Sequence, residues 1–241
     1  TLATELRDPP AQCGFSRVVG NTPPDDSCNA PNTRRRTLFS ENFEHNPSNR
    51  WSVSRDVEDE TNFVGQDWTW TDDLPDRRDG SGFFALNAAA RGDLPYPSQN
   101  SVLHLTGPEI AIPGGLASGP HVSFDHWVAL EEGYDGGQVM VSVNGGPFQL
   151  VEQSAFIYSG YNNNLLGFDF SSNPRNGQRA FTGVDGGSLD GSWGTSIIDL
   201  SGFAQSGDTV RLRFDMSSDY CFGTGLGWYI DNVKVYACDR N

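Results

Sequence analysis

The fold is decided near the end of the chain, by Gly225-Leu226-Gly227-Trp228-Tyr229-Ile230-Asp231-Asn232-Val233-Lys234-Val235-Tyr236-Ala237-Cys238. Aromatic and β-branched residues dominate, glycines precede the run and a cysteine closes it, which reads as a β-strand. One residue departs from the pattern. Asp231 sits inside the apolar run, where a lone carboxylate is costly to bury. Either it lies at a sheet edge in water, or its charge is met by a cation, an arginine or a set of backbone N–H groups.

The composition around this strand is that of a β protein. Hydrophobic residues make up only 36% of the 241, but 6 Trp and 15 Phe compensate, since each buries a large area. The 28 Gly and 14 Pro are spread along the chain, which suits many turns between short strands and argues against long helices. The length allows one large β domain or two small ones. A net charge of −15 leaves Arg34-Arg35-Arg36 as the one basic run, so no nucleic-acid partner is expected. An acidic surface suits solubility and can recruit divalent cations. No apolar run approaches membrane-spanning length, so no membrane insertion is expected. No signal peptide opens the chain, so a secreted protein would be present here in mature or trimmed form.

The four cysteines fall in two groups, Cys13 with Cys28 and Cys221 with Cys238. An even number so placed suggests two disulfides and an oxidising, extracellular setting. Four cysteines allow three connectivities, and pairing within each group is the expectation. The spacing fits no zinc pattern.

Taken in order, residues 1–36 are Pro-rich, carry the arginine run and lack periodicity, so an irregular extension or linker is expected there. The arginine run reads as a processing site, a clamp onto the acidic body or a solvated patch. A second domain, residues 37–241, follows. Leu38 to Glu44 alternates as a strand that puts Phe39, Glu41 and Phe43 on one face, so Glu41 is a second carboxylate where an apolar residue is expected. Trp51-Ser52-Val53 is a short strand, and residues 54–82 read as an acidic loop. Val122, Phe124, His126, Val128 and Leu130 share one side of another strand. Asn144-Gly145 marks a hairpin. Residues 157–192, rich in Gly, Asn, Ser and Tyr, read as a long insertion. Thr209 to Asp215 alternates with Arg211 and Arg213 on one face. Nine or ten strands, and no helix beyond a candidate at Leu200 to Ala204, point to an all-β sandwich of two antiparallel sheets, a jelly roll.

Phe39-Ser40-Glu41-Asn42-Phe43-Glu44, Phe124-Asp125-His126-Trp127, Tyr134-Asp135-Gly136-Gly137, the Asn144-Gly145-Gly146 hairpin and Gly227-Trp228-Tyr229-Ile230-Asp231-Asn232-Val233 occur in an order that resembles a known family. It is the MAM-like, choice-of-anchor-J-type jelly-roll module attached to secreted bacterial peptidases of the immune-inhibitor-A type. The resemblance covers residues 38–238. Asn42 and Asn232 depart from it, standing where the family usually has Asp. It implies an accessory module of a larger secreted protein, with a peptidase as neighbour. It also implies a calcium ion joining the first and last strands, through Glu41 or Glu44 and Asp231.

Asp56 and Asp59 in the acidic loop are further candidate calcium ligands, since calcium takes six to eight oxygens. Trp68, Trp70, Tyr158 and Tyr161 lie in long loops, where aromatics can stack on sugar rings or peptides, or else cover the core. No His-Glu-x-x-His, Gly-x-Ser-x-Gly or phosphate-binding motif is present, so no catalytic centre is expected. The expected role is a non-catalytic, calcium-stabilised module for substrate, glycan or protein-surface recognition. An independent carbohydrate-binding protein and a glycoside-active jelly roll are the alternatives. For the last, the carboxylates of residues 56–60 would have to face one cleft about 5 to 9 Å apart.

Overall fold

The computed structural model describes residues 28, 32–61, 63, 66–87, 100–184, 191–220 and 225–240. Strands are numbered along the chain. The first sheet holds β1 (Thr33–Glu41), β3 (Thr69–Thr71), β4 (Gly82–Leu86), β7 (His121–Ala129), β10 (Phe156–Tyr158), β13 (Trp193–Asp199) and β15 (Gly227–Arg240). The second holds β2 (Ser52–Val57), β5 (Ser101–Thr106), β6 (Ile110–Ala111), β8 (Gly136–Val143), β9 (Gln149–Leu150) and β14 (Thr209–Ser218). A small hairpin, β11 (Asn163–Asn164) with β12 (Arg179–Ala180), stands apart. Spatial order in the first sheet is β10-β13-β7-β15-β4-β3, with β1 also on β15. In the second it is β2-β5-β14-β8-β9, with β6 also on β14. Every pairing within the two sheets is antiparallel, and the architecture is a jelly-roll β-sandwich.

The closing strand is the centre of its sheet. β7 lies along one edge of β15, while β4 and β1 lie end to end along the other. Trp228 is fully buried, with ring contacts to Trp68 (5.5 Å) and Phe214 (5.9 Å) across the sandwich. Gly137 on β8 lets the sheets meet there, because a β-carbon on it would stand 2.7 Å from the Trp228 indole. Burial of each such side chain stabilises by about 1.5 to 3 kcal/mol.

The expected alternation of β7 holds. Val122, Phe124, His126, Val128 and Leu130 all face the core. His126 is satisfied there: its Nε2 lies 2.9 Å from the Ser196 hydroxyl, and the Trp228 indole N–H donates to its Nδ1 (3.2 Å). Burial pushes its pKa well below the ordinary histidine value. The Asn144-Gly145 turn joins β8 to β9, and both residues take positive φ (51° and 71°). That conformation costs Asn and Gly little.

Four expectations are corrected. Residues 33–36, placed in the irregular extension, belong to β1; most of that extension lies outside the described residues. Arg35 stacks on Tyr236 (4.1 Å) and Arg36 reaches Asp239 (3.6 Å), so the run clamps β1 to β15. The expected acidic loop instead continues β2 through Val57 and contains β3 and part of β4. Leu200 to Ala204 makes a single turn, closed by Ala204 N–H to Leu200 C=O (2.9 Å), rather than a helix. Finally, Cys28 is bonded to Cys238, with Cα atoms 5.2 Å apart across 210 residues of sequence. This excludes both pairings within groups. The register Arg35↔Cys238 carries the start of β1 to the end of β15, so sheet pairing overrides proximity in sequence. Cys13 and Cys221 lie outside the described residues.

Candidate functional site

The two carboxylates that sequence singled out both meet arginines. β1 and β4 leave a gap opposite Asp231-Asn232, where Asn232 takes φ 49° and the register against β7 shifts. Asp231 is only 3% exposed. Arg78 Nη2 lies 2.7 Å from Asp231 and 2.6 Å from Asp125, beneath the Trp193 ring (4.2 Å). The Asn232 backbone N–H donates to Asp231 (2.6 Å), and its amide donates to Asp125 (3.0 Å). The Thr195 hydroxyl donates to Asp125 (2.6 Å). Burial still raises the Asp231 pKa, with Arg78 pulling the other way. Glu41 accepts from the Phe43 N–H (3.1 Å) and pairs with Arg50.

The remaining candidate calcium ligands lie elsewhere. Glu44 is exposed beside Gly80. Asp59 accepts the Thr61 N–H (2.9 Å) in a surface turn. Asp56 is on β2, in the other sheet. Among the described residues no three His, Cys, Asp or Glu side chains form a group able to hold a metal ion. The donor set does not fit calcium, which needs six to eight free oxygens, because guanidinium groups already face Asp231 and Glu41.

Three of the four aromatic candidates are structural. Trp68 is buried and donates its indole N–H to Leu103 C=O (3.1 Å). Trp70 packs against the core and donates to Phe43 C=O (2.8 Å). Tyr161 is buried, and its hydroxyl accepts the Val139 N–H (2.9 Å). Tyr158 is half-buried on the edge strand β10. Among the described residues the exposed aromatics are instead Phe168, Phe170 and Tyr220 (84%, 72% and 49%).

The outer face of the second sheet holds the polar site. On β14, Val210, Leu212, Phe214 and Met216 point inward, so Arg211, Arg213 and Asp215 point outward. Part of the 157–192 insertion folds back over this face. Gln138 donates to Arg179 C=O (2.8 Å), and the buried Asn173 donates to Tyr134 C=O (2.6 Å). Beneath it Asp215 is fully buried and surrounded by donors. Arg175 and Arg213 each lie 2.8 Å from its Oδ2, and His104 Nδ1 lies 2.7 Å from its Oδ1. His104, opposite Asp215 in the register, extends its Nε2 to Asp56 (3.1 Å).

A cleft of about 440 Å³ opens beside this network, lined by Asp56, Glu58, Asn100, Val102, Ser172 and Arg175 among others. Asp56 projects into water, its side chain 80% exposed. The wall is stitched together by hydrogen bonds between its own side chains. The Ser172 hydroxyl donates to the Asn100 side-chain oxygen Oδ1 (2.7 Å), and the Asn100 side-chain amide donates to Glu58 (3.4 Å). The Tyr220 N–H donates to the Ser172 hydroxyl (3.2 Å), which places an exposed aromatic residue at the rim. Sequence reasoning named Asp56 and Glu58 here and missed His104, Asp215, Arg175 and Asn100. The alternation Arg211-x-Arg213-x-Asp215 was the available signal, as was the pair of phenylalanines in an otherwise polar insertion.

A second acidic group lies where β8 begins and β14 ends. Asp135 is 1% exposed, accepting the Asp219 N–H (3.0 Å) and the Asn87 amide (2.9 Å). Burial, then the charges of Asp219 and Glu131, push its pKa well above the ordinary carboxylate range. Burial and Asp219 raise Glu131 as well.

The sequence matches no family model and no curated protein. Several solved structures are similar to it. One is the carbohydrate-binding module TmCBM61 in complex with β-1,4-galactotriose, at 14% identity and TM-score 0.45, covering 84% of this chain and 99% of that one. Another is a cleaved adhesin domain of Lys-gingipain from Porphyromonas gingivalis, at 16% identity and TM-score 0.45, covering 83% and 97%. A third is TmCBM27, a carbohydrate-binding module with specific mannan recognition, at 11% identity and TM-score 0.40, covering 85% and 98%. At these scores the similarities assign no ligand to this chain.

Proposed function

We propose that this chain is a secreted glycan-recognition module whose ligand lies in the cleft between the end of β2, the start of β5 and residues 172–175. The observation that carries the reading is the cleft itself. It combines carboxylates, an amide and a hydroxyl with the exposed Tyr220 at its rim, next to the loop that exposes Phe168 and Phe170. Sugars are bound by such a pairing of polar groups for hydroxyls with flat apolar rings. The Cys28–Cys238 disulfide supports an oxidising, extracellular setting.

The family resemblance rests on scaffold residues: Phe43, Phe124 and Trp228 in the core, and Asp125 and Asp231 around Arg78. It therefore supports the sandwich and an accessory role beside a peptidase, without reaching the cleft. A glycan array tests the reading directly. Binding that falls on Asn100→Ala and on Tyr220→Ala, at unchanged melting temperature, supports it; an array with no binding overturns it.

Asp56 and Glu58 line one cleft, and this favours glycoside cleavage as a second reading. Reducing-sugar release that Glu58→Gln abolishes would establish it.

A further inference from the structure

We propose that the cleft selects glycans carrying a protonated amine, of the glucosamine-oligomer class, over neutral and uronate chains. This rests on the glycan reading above and adds the charge of the ligand. Asp56 and Glu58 bring two carboxylates to the cleft, and among the described residues neither is paired with an arginine or lysine. Asp56 is held by the His104 imidazole through one oxygen (3.1 Å), and Glu58 by the Asn100 amide through one oxygen (3.4 Å). The cation of the lining, Arg175, turns its guanidinium inward to the fully buried Asp215 (2.8 Å). Arg213 is drawn to the same carboxylate (2.6 Å) and lies over the Phe148 ring (4.3 Å). The arginine of the lining is thus committed to the sheet, and the negative charge faces the ligand.

An ammonium group offers three donors and no acceptor, which complements a pair of carboxylates. Charge-assisted bonds of this kind are roughly twice as strong as neutral ones. N-acetylation would remove the charge, as it does on lysine. A uronate would meet repulsion from both acids. The chain's net charge of −15 adds a long-range bias of the same sign.

Titration calorimetry with the intact chain tests this, using a glucosamine hexasaccharide, its fully N-acetylated counterpart, a galacturonate hexasaccharide and a hexalysine peptide. The free amine form is expected to bind about tenfold tighter than the N-acetylated form in dilute salt. The advantage should shrink in concentrated salt, because the carboxylates are exposed. Glu58→Gln, a surface change that leaves folding intact, should reduce the advantage, and Asp56→Asn with it should remove it. Equal binding of the N-acetylated form, or any preference for galacturonate, overturns the charge assignment while leaving the glycan reading in place. Hexalysine binding as tightly as the sugar overturns it too, since charge alone would then suffice. Failure of all three sugars, in a chain that binds nothing on a glycan array, removes both.

Discussion

Arg78 stands 2.7 Å from Asp231 and 2.6 Å from Asp125, so one guanidinium joins the last strand to its neighbour β7. The loop that carries Arg78 is held over the same face by two indoles. Trp127 donates to Asp76 (3.0 Å) and Trp193 to Pro75 C=O (3.0 Å). Removing the guanidinium leaves the half-buried Asp125 and the buried Asp231, 106 positions apart in sequence, without the ion pair that joins them.

Arg78→Met is therefore expected to destabilise the fold by about 3 kcal/mol, in the range for breaking one side of a buried ion pair. Urea unfolding measures it. Asp231→Asn in the same background should restore part of the loss, because the stranded charge goes with it. A loss near zero would show that another cation neutralises Asp231.

Chelation offers a second check on the same residues. With Arg78 on Asp231 and Arg50 on Glu41, excess chelator is expected to leave the melting temperature unchanged. A fall on chelation, reversed by calcium, would show a bound ion that contributes to stability by mass action.

Stability should fall on both sides of an optimum pH. Asp135 holds its proton in the fold to a higher pH than in the unfolded chain. Its contribution is therefore complete below about pH 4 and is lost as pH rises through the folded value. His126 does the opposite. Its folded pKa is depressed by burial, so the unfolded chain takes up the proton first, and stability falls as pH drops below about 6.5. Asp135→Asn should gain on the parent as pH rises and match it in acid. Denaturant titrations across pH read this; a parallel pair of curves would contradict it.

The Cys28–Cys238 bond closes a loop of 210 residues. On the chain-entropy account, Cys238→Ser should cost about 5 kcal/mol. Peptide mapping without reductant should recover the Cys28 and Cys238 peptides as one linked species. Recovery of Cys221 linked to Cys238 would contradict the connectivity.

Trp68 and Tyr220 should separate folding from binding. Trp68→Ala opens a cavity against Trp228 and is expected to cost about 3 to 5 kcal/mol. Tyr220→Ala, at an exposed rim, should leave the melting temperature in place and weaken glycan binding. The reverse pattern would move the site away from the cleft.

The sequence by itself determined the class of fold. Alternation in β7 and β14, the Asn144-Gly145 turn and the dense final strand each encode a local period or turn, and such signals need no distant partner to be read. It also exposed Asp231 and Glu41 as charges in apolar company. What met those charges was decided by tertiary structure alone, because Arg78 lies 153 positions from Asp231 and no local pattern links them. The same holds for Trp68 and Tyr161, which read as loop aromatics but lie in the core, and for the cleft, whose residues come from β2, β5 and the insertion. Side-chain pattern along one strand reports which face is buried; only the packing of one sheet and its overlying loop on another reports which charges meet.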